Sequence, residues 1–202
     1  MLKRQKLQQL PRQLFDSQGN RKYLTRDERD KFILSAEGYA PEIRTLCGVL
    51  AYTGCRISEA LNLTVDRIDL EAGTIVFESL KKRVGGHFRA VPVPPQLLDT
   101  LNLVHQVRAW QRQKGKKRLL WACDRTTAWR HIKEVMEAAG LAGNPAATPK
   151  GLRHCFGVTA VSSGIPLNMV QKWLGHAQLS TTAIYADAVG EEEKSIAAKM
   201  WS

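Results

Sequence analysis

Apolar positions in this chain recur mostly at helical spacing, and one stretch near the middle switches to alternation. From Leu24 the text LTRDERDKFILSAE reads as a helix capped by Thr25, with Asp27 and Glu28 in an acidic first turn that suits the helix dipole. A second helix is predicted after Pro41, where Ile43, Leu46, Val49 and Leu50 keep helical spacing and Gly54 supplies the stop. A short third helix, RISEALNL, begins at Arg56. Three β-like runs follow, RIDL at 67–70, TIVFES at 74–79 and HFRAVPV at 87–93, divided by turn signals at Ala72-Gly73 and Val84-Gly85-Gly86. After Pro94-Pro95 helical periodicity returns through QLLDTLNLVHQVRAWQRQ, followed by a basic loop KGKKR and an apolar run LLWAC. The segments RTTAWRHIKEVMEAAG, KGLRHCFGVTAVSSG, PLNMVQKWLGH and QLSTTAIYADAV are each bounded by Gly or Pro and read as helices, and GEEEKSIAAKMW as a short charged closing helix. The expected fold is mainly α with a small three-stranded antiparallel sheet. Residues 1–23, basic and polar with Pro11 and Gly19, read as an arm or linker, 24–190 as one domain, and 191–202 as the closing helix.

Charge narrows the partners. Thirty Lys and Arg against nineteen Asp and Glu leave a net charge of +11 and a pI near 9.8, which favours polyanions, nucleic acid first, over an acidic membrane surface. A generic basic soluble protein is the rival reading. Cys47, Cys55, Cys123 and Cys155 form no C-x-x-C pair, which argues against a disulfide framework or a zinc cluster and suggests core residues of a reducing compartment. No run approaches a membrane span, and MLKRQKLQQLPRQLF lacks the apolar core of a secretion signal, so a cytoplasmic location is expected.

Three segments carry candidate chemistry: TGCRISEAL at 53–61, TPKGLRHCFG at 148–157 and LGHAQLSTTAIYADAV at 174–189. Together they resemble the tyrosine recombinase (phage-integrase) family. Its first box has an Arg within T-G-x-R-x-S-E, its second reads [H/K]-x-x-R-H, and its third is L-G-H followed nine residues later by a nucleophilic Tyr. The matching positions are Arg56, Lys150, Arg153, His176 and Tyr185, nine residues separating the last two. The resemblance covers about residues 24–190 and implies the integrase catalytic-domain fold. It further implies site-specific DNA recombination through a covalent 3'-phosphotyrosine, without metal, ATP or other cofactor. No P-loop or metal cluster stands in the sequence to suggest otherwise.

The residue types suit that reaction. Transesterification at a phosphodiester needs a nucleophile, charge stabilisation and a proton for the leaving oxygen. The Tyr185 phenol, mostly protonated at neutral pH, needs cationic neighbours or a base to become reactive. Arg56 and Arg153 offer planar, permanent cations able to hold two oxygens at once, and Glu59, three residues after Arg56, is expected to orient it. His176 has the near-neutral pKa for a phosphate contact or for proton movement at Tyr185; the bland alternative is a helix C-terminal cap. His154 reads as a buttress. Lys150 stands where the second box more often has His, which keeps a phosphate contact but not a neutral imidazole base.

The family implies that the acid for the leaving 5'-hydroxyl is a Lys on the hairpin after the first box. Lys81 and Lys82 both qualify, and alternation puts them on opposite faces. Lys81, eight residues after Gly73, is favoured, leaving Lys82 and Arg83, with Lys172, as DNA contacts. The expected partner is double-stranded DNA bearing a specific recombination site. On it a homotetramer is expected, monomeric off DNA, with accessory DNA-bending or recombinase partners. The apolar stripe Ile196, Ala197, Met200 and Trp201 is a candidate for exchange between subunits. The layout is similar to that of fimbrial inversion recombinases, which lack the N-terminal core-binding domain. A non-cleaving DNA-binding protein and a type IB topoisomerase-like enzyme are the alternatives.

Overall fold

Helix α1, Arg26–Ala36, starts where the sequence places it. The Glu28 amide donates to Thr25 Oγ1 (3.3 Å) and the Thr25 amide to Glu28 Oε2 (2.8 Å), a reciprocal cap that satisfies two otherwise orphaned donors. The computed structural model describes residues 14–79, 86–113, 117–186, 197–198 and 200–201. Helix α2, Pro41–Thr53, is apolar on most of its surface and therefore lies centrally, with α1, α4 and α7 packed around it. It ends at Gly54, whose left-handed φ of 59° turns the chain sharply so that α3, Ile57–Leu61, restarts three residues later.

The sheet forms as expected. Strands β1 (Ile68–Asp69), β2 (Thr74–Glu78) and β3 (Phe88–Pro92) lie in that order, each antiparallel to its neighbour. Ile75 pairs with Val91 and Phe77 with Arg89, and all four point to the covered face. That register brings a guanidinium into the interior.

The long helical run after Pro94 divides in two: α4, Pro95–His105, and α5, Val107–Gln111, meet at Gln106 with φ 53°. A left-handed residue other than Gly costs about 1–2 kcal/mol. Here the turn buries Val107, lets the Arg108 amide reach Asn102 Oδ1 (3.0 Å), and sends the Gln111 amide to the Val65 and Ile68 carbonyls (2.8 and 2.7 Å). Helices α6 (Arg125–Ala138) and α7 (Pro149–Ser162) are capped by Asp124 and Thr148. Helix α8, Leu167–Leu174, stops at left-handed Gly175. Of QLSTTAIYADAV, expected as a full helix, the described residues are helical at α9, Ser180–Ala183, and form turns to Ala186, and residues 187–189 lie outside the described residues.

The arm or linker expected over residues 1–23 narrows at its C-terminal end. Leu14 and Tyr23 are buried against Val158, Val170, Leu174, Ile184 and Tyr185 in a second apolar cluster. Asp16 closes the intervening loop by accepting from the Gln18 and Asn20 amides, 2.8 Å each. Polar turn residues conceal these apolar anchors in the sequence. Residues 191–196 of the expected closing helix, Ile196 included, lie outside the described residues, and Met200 and Trp201 are 75% and 73% exposed. No helix among the described residues is long and apolar enough to cross a membrane. Cys47, Cys55 and Cys155 are buried free thiols, pushed up to about 12, 12 and 11 chiefly by burial.

Candidate active site

The turn after α2, the first turns of α7 and the turn around α9 enclose a cavity of about 480 Å³, lined among others by Arg56, Lys150, Arg153, His154, His176 and Tyr185. Residues from three stretches far apart in the chain thus converge on one space.

Arg56 caps α3 from the cavity edge, its side chain 29% exposed. Glu59, one turn on, holds it twice: Oε1 accepts from Arg56 Nη1 (2.6 Å) and Oε2 from the Arg56 amide (2.9 Å). Glu59 is itself buried and is also gripped by Arg89 of β3, whose Nη2 donates to Oε2 (2.7 Å) and Nη1 to Oε1 (3.4 Å). Burial would push this carboxyl up; the Arg89 hydrogen bond and charge, then Arg56, outweigh that and keep it below the usual carboxylate range.

Arg153, on the buried face of α7, donates through Nη1 to the Gly54 carbonyl (2.7 Å) and through Nη2 to the Leu174 carbonyl (2.6 Å). It thereby ties the α2–α3 turn to the end of α8. Burial, and next the charge of Arg56, lower it to about 10, which leaves it cationic at neutral pH. A guanidinium has donors to spare beyond these two. Lys150, in the first turn of α7, is exposed at the cavity edge.

Tyr185 is 1% exposed. Its ring stacks on that of His176 (centroids 6.3 Å apart, planes at 16°), and its hydroxyl lies 3.1 Å from His154 Nδ1. His176 Nδ1 meets Thr182 Oγ1 at 2.9 Å, which fixes the imidazole across the turn before Tyr185. His154, read as a buttress, is therefore in hydrogen-bonding distance of the hydroxyl.

Lys172 is exposed on α8 and lines a neighbouring cavity of about 360 Å³ with Ser79, His87 and His176. Ser79 and His87 are the hairpin positions that flank residues 80–85, and the Ser79 amide donates to the His87 carbonyl at 2.8 Å. Lys81, Lys82 and Arg83 lie outside the described residues. No group of three or more His, Cys, Asp or Glu able to hold a metal ion occurs among the described residues.

Two residues here escape the sequence reading. Arg89 carries a faint signal, an Arg at the inward parity of HFRAVPV with Val91 and Val93. Gly157 closes the second box, and the Tyr185 ring occupies the space a side chain there would fill.

The phage integrase family matches residues 22–192. The chain is similar to tyrosine recombinase XerA of Pyrococcus furiosus, 32% identical over 181 residues that cover 86% of this chain and 59% of that protein. The chain thus spans about three-fifths of that relative's length. Its fold resembles the crystal structure of XerA recombinase, with a TM-score of 0.75 and 26% identity over 89% of this chain and 65% of the other. It also resembles the XerH site-specific recombinase bound to a palindromic difH substrate in a post-cleavage complex, with a TM-score of 0.69 and 26% identity over 89% and 53% of the two chains.

Proposed function

Because the chain belongs to the phage integrase family, we propose that it recombines DNA at specific sites through a covalent 3'-phosphotyrosine. The observation that carries this reading is the single cavity that holds Arg56, Lys150, Arg153, His154, His176 and Tyr185 together.

Tyr185 Oη attacks the scissile phosphorus, its proton leaves through His154 or His176, and the 5'-oxygen departs with a proton to become a hydroxyl. Arg56 and Arg153 balance the charge that grows on the nonbridging oxygens, where fixed guanidinium donors act with little reorganisation. Lys150 adds a point charge to the same phosphate. Lys81 on the hairpin is the acid for the leaving oxygen, with Lys82, Arg83 and Lys172 contacting the DNA backbone. One phosphodiester is exchanged for one phosphotyrosine, so religation by a 5'-hydroxyl needs no nucleotide triphosphate. Tyr185 is 1% exposed yet lines the same cavity as Arg56 and Arg153, so its hydroxyl meets the phosphate from the buried side of that cavity. Four such subunits acting on two duplexes would exchange strands, with the segment beyond residue 190 passed between neighbours.

A pool of nicked duplexes with randomised arms tests this. Wild-type protein is expected to trap a subset as adducts that survive denaturing detergent and carry the protein at a 3'-phosphate, and Tyr185→Phe to trap none. Adduct formation by Tyr185→Phe would remove the nucleophile assignment. DNA binding by the wild type without any adduct would replace this reading with a non-cleaving binder, and relaxation without strand exchange with a topoisomerase-like enzyme.

A further inference from the structure

The side chain of Arg89 enters the interior from β3 and is 6% exposed. It faces Glu59 with two hydrogen bonds, at 2.7 and 3.4 Å, and on its other side Nε donates to the Trp173 carbonyl at 2.7 Å. Its guanidinium carbon lies 5.1 Å from the centre of the Phe77 ring. A Cβ on Gly175 would come within 3.2 Å of Arg89 Cδ, Nε and Cζ, so the turn that leads into His176 rests directly on this side chain.

We propose that Arg89 is a positioning residue for the strand-cleavage reaction, holding the Glu59–Arg56 pair and the Gly175–His176 turn in one frame. The proposal rests on the recombinase reading above. Glu59 cannot fix Arg56 unless its own carboxylate is fixed, and a buried carboxylate keeps its charge only while cations compensate its lost hydration. Arg56 supplies part of that compensation but sits at the cavity edge, where a phosphate competes for its donors. Arg89 is not among the residues that line this cavity; it borders the neighbouring one beside Lys172 and holds both carboxylate oxygens from the buried side. Its third bond, to Trp173, sets the end of α8 against the sheet, and Arg153 reaches the next carbonyl, Leu174, from α7. The planar fork of a guanidinium can bridge a carboxylate and a carbonyl at once; an ammonium cannot hold the same geometry.

The groups that face Glu59 are Arg56 from its own helix start, Arg89 from the sheet, Arg153 from α7 and the neutral thiol of Cys55. Removing Arg89 leaves burial opposed mainly by Arg56. In Arg89→Met the Glu59 carboxyl is expected to titrate at higher pH than in wild type by carbon-13 NMR of the DNA-free protein. On a nicked duplex already shown to trap wild type, Arg89→Met at saturating DNA should form the Tyr185 adduct about 10- to 100-fold more slowly, by analogy with the loss when the partner that orients a metal ligand is removed. DNA affinity should stay within about threefold, because the Arg89 side chain is 6% exposed and its donors are taken by Glu59 and the Trp173 carbonyl. A methylphosphonate at the scissile position, which lacks one nonbridging charge, should shrink the loss, as it should for Arg56→Ala. Adduct formation at the wild-type rate would overturn the proposal, as would an equal loss on phosphodiester and methylphosphonate. If wild type traps no duplex at all, the recombinase reading fails, and an unmoved Glu59 titration in Arg89→Met would then overturn the positioning role by itself.

Discussion

The phenol ring of Tyr185 fills the place of a side chain at Gly157: a Cβ there would stand 2.5 Å from Cζ and 2.6 Å from both Cε atoms. Gly157→Ala should therefore displace the ring rather than be absorbed, since the ring is buried in one apolar cluster with Leu14, Tyr23 and Val170 and stacks on His176. Overpacking of this kind costs about 1–3 kcal/mol. The variant should unfold at lower urea and nitrate faster at Tyr185 under tetranitromethane, as read by peptide mapping. If neither quantity moves, the ring does not rest on the α7 backbone.

Arg56 and Arg153 should separate by stability while agreeing in activity. Either change to Ala should slow adduct formation by about 10²–10³-fold, the loss seen when a charge-stabilising donor is removed. Arg153→Ala also strips the Gly54 and Leu174 carbonyls of their partner in a buried setting, at about 1–3 kcal/mol. Arg56, partly exposed, leaves Glu59 still held by Arg89 and should cost less. Urea unfolding of the two variants checks the order; a less stable Arg56→Ala would contradict it.

Much of this geometry is legible in the sequence, for a physical reason. Capping and stop signals are local, so Thr25 with Glu28, Pro41 with Gly54, and Gly175 marked their helix ends correctly. The three chemical boxes are likewise short texts, and their residues meet at one cavity although Arg56 and Arg153 are 97 positions apart. What escaped depends on tertiary packing. The break at Gln106 uses neither Gly nor Pro and is set by Val107 and Gln111 reaching distant partners. The parity of Arg89 was readable, but not that Glu59, thirty positions away, would receive it. That His154 meets the Tyr185 hydroxyl follows from how α7 packs against the Tyr185 ring, and spacing along the chain carries no such information.

Charge makes a separate prediction about DNA. Affinity for duplex should fall steeply with salt, with a slope of roughly −0.9 per phosphate neutralised. Lys172 is exposed on α8, beside the cavity shared with His176. Lys172→Gln should weaken binding uniformly across sequences and reduce the salt slope by about one contact. Fluorescence anisotropy over a salt series measures this, and an unchanged slope would remove Lys172 from the interface.

His105 gives the fold a pH dependence of its own. The ring is buried at the end of α4, with Nε2 2.9 Å from Thr45 Oγ1 of α2 and its face edge-on to Trp121 (5.5 Å). Burial, with a smaller contribution from Arg118, lowers its pKa below the ordinary 6.5, although Glu42 pulls the other way. The neutral ring is the form the fold accepts. Above the unfolded value both states are neutral and the stabilising contribution is complete. As pH falls below about 6.5 the unfolded chain takes up a proton first, so stability is lost until the folded ring also protonates, below which the loss levels off. Urea midpoints measured from about pH 7.5 down to about pH 5 should show this descent in wild type and a shallower one in His105→Gln, whose amide keeps a polar group near Thr45 without titrating. An identical slope in the two proteins would show that the descent belongs to other groups.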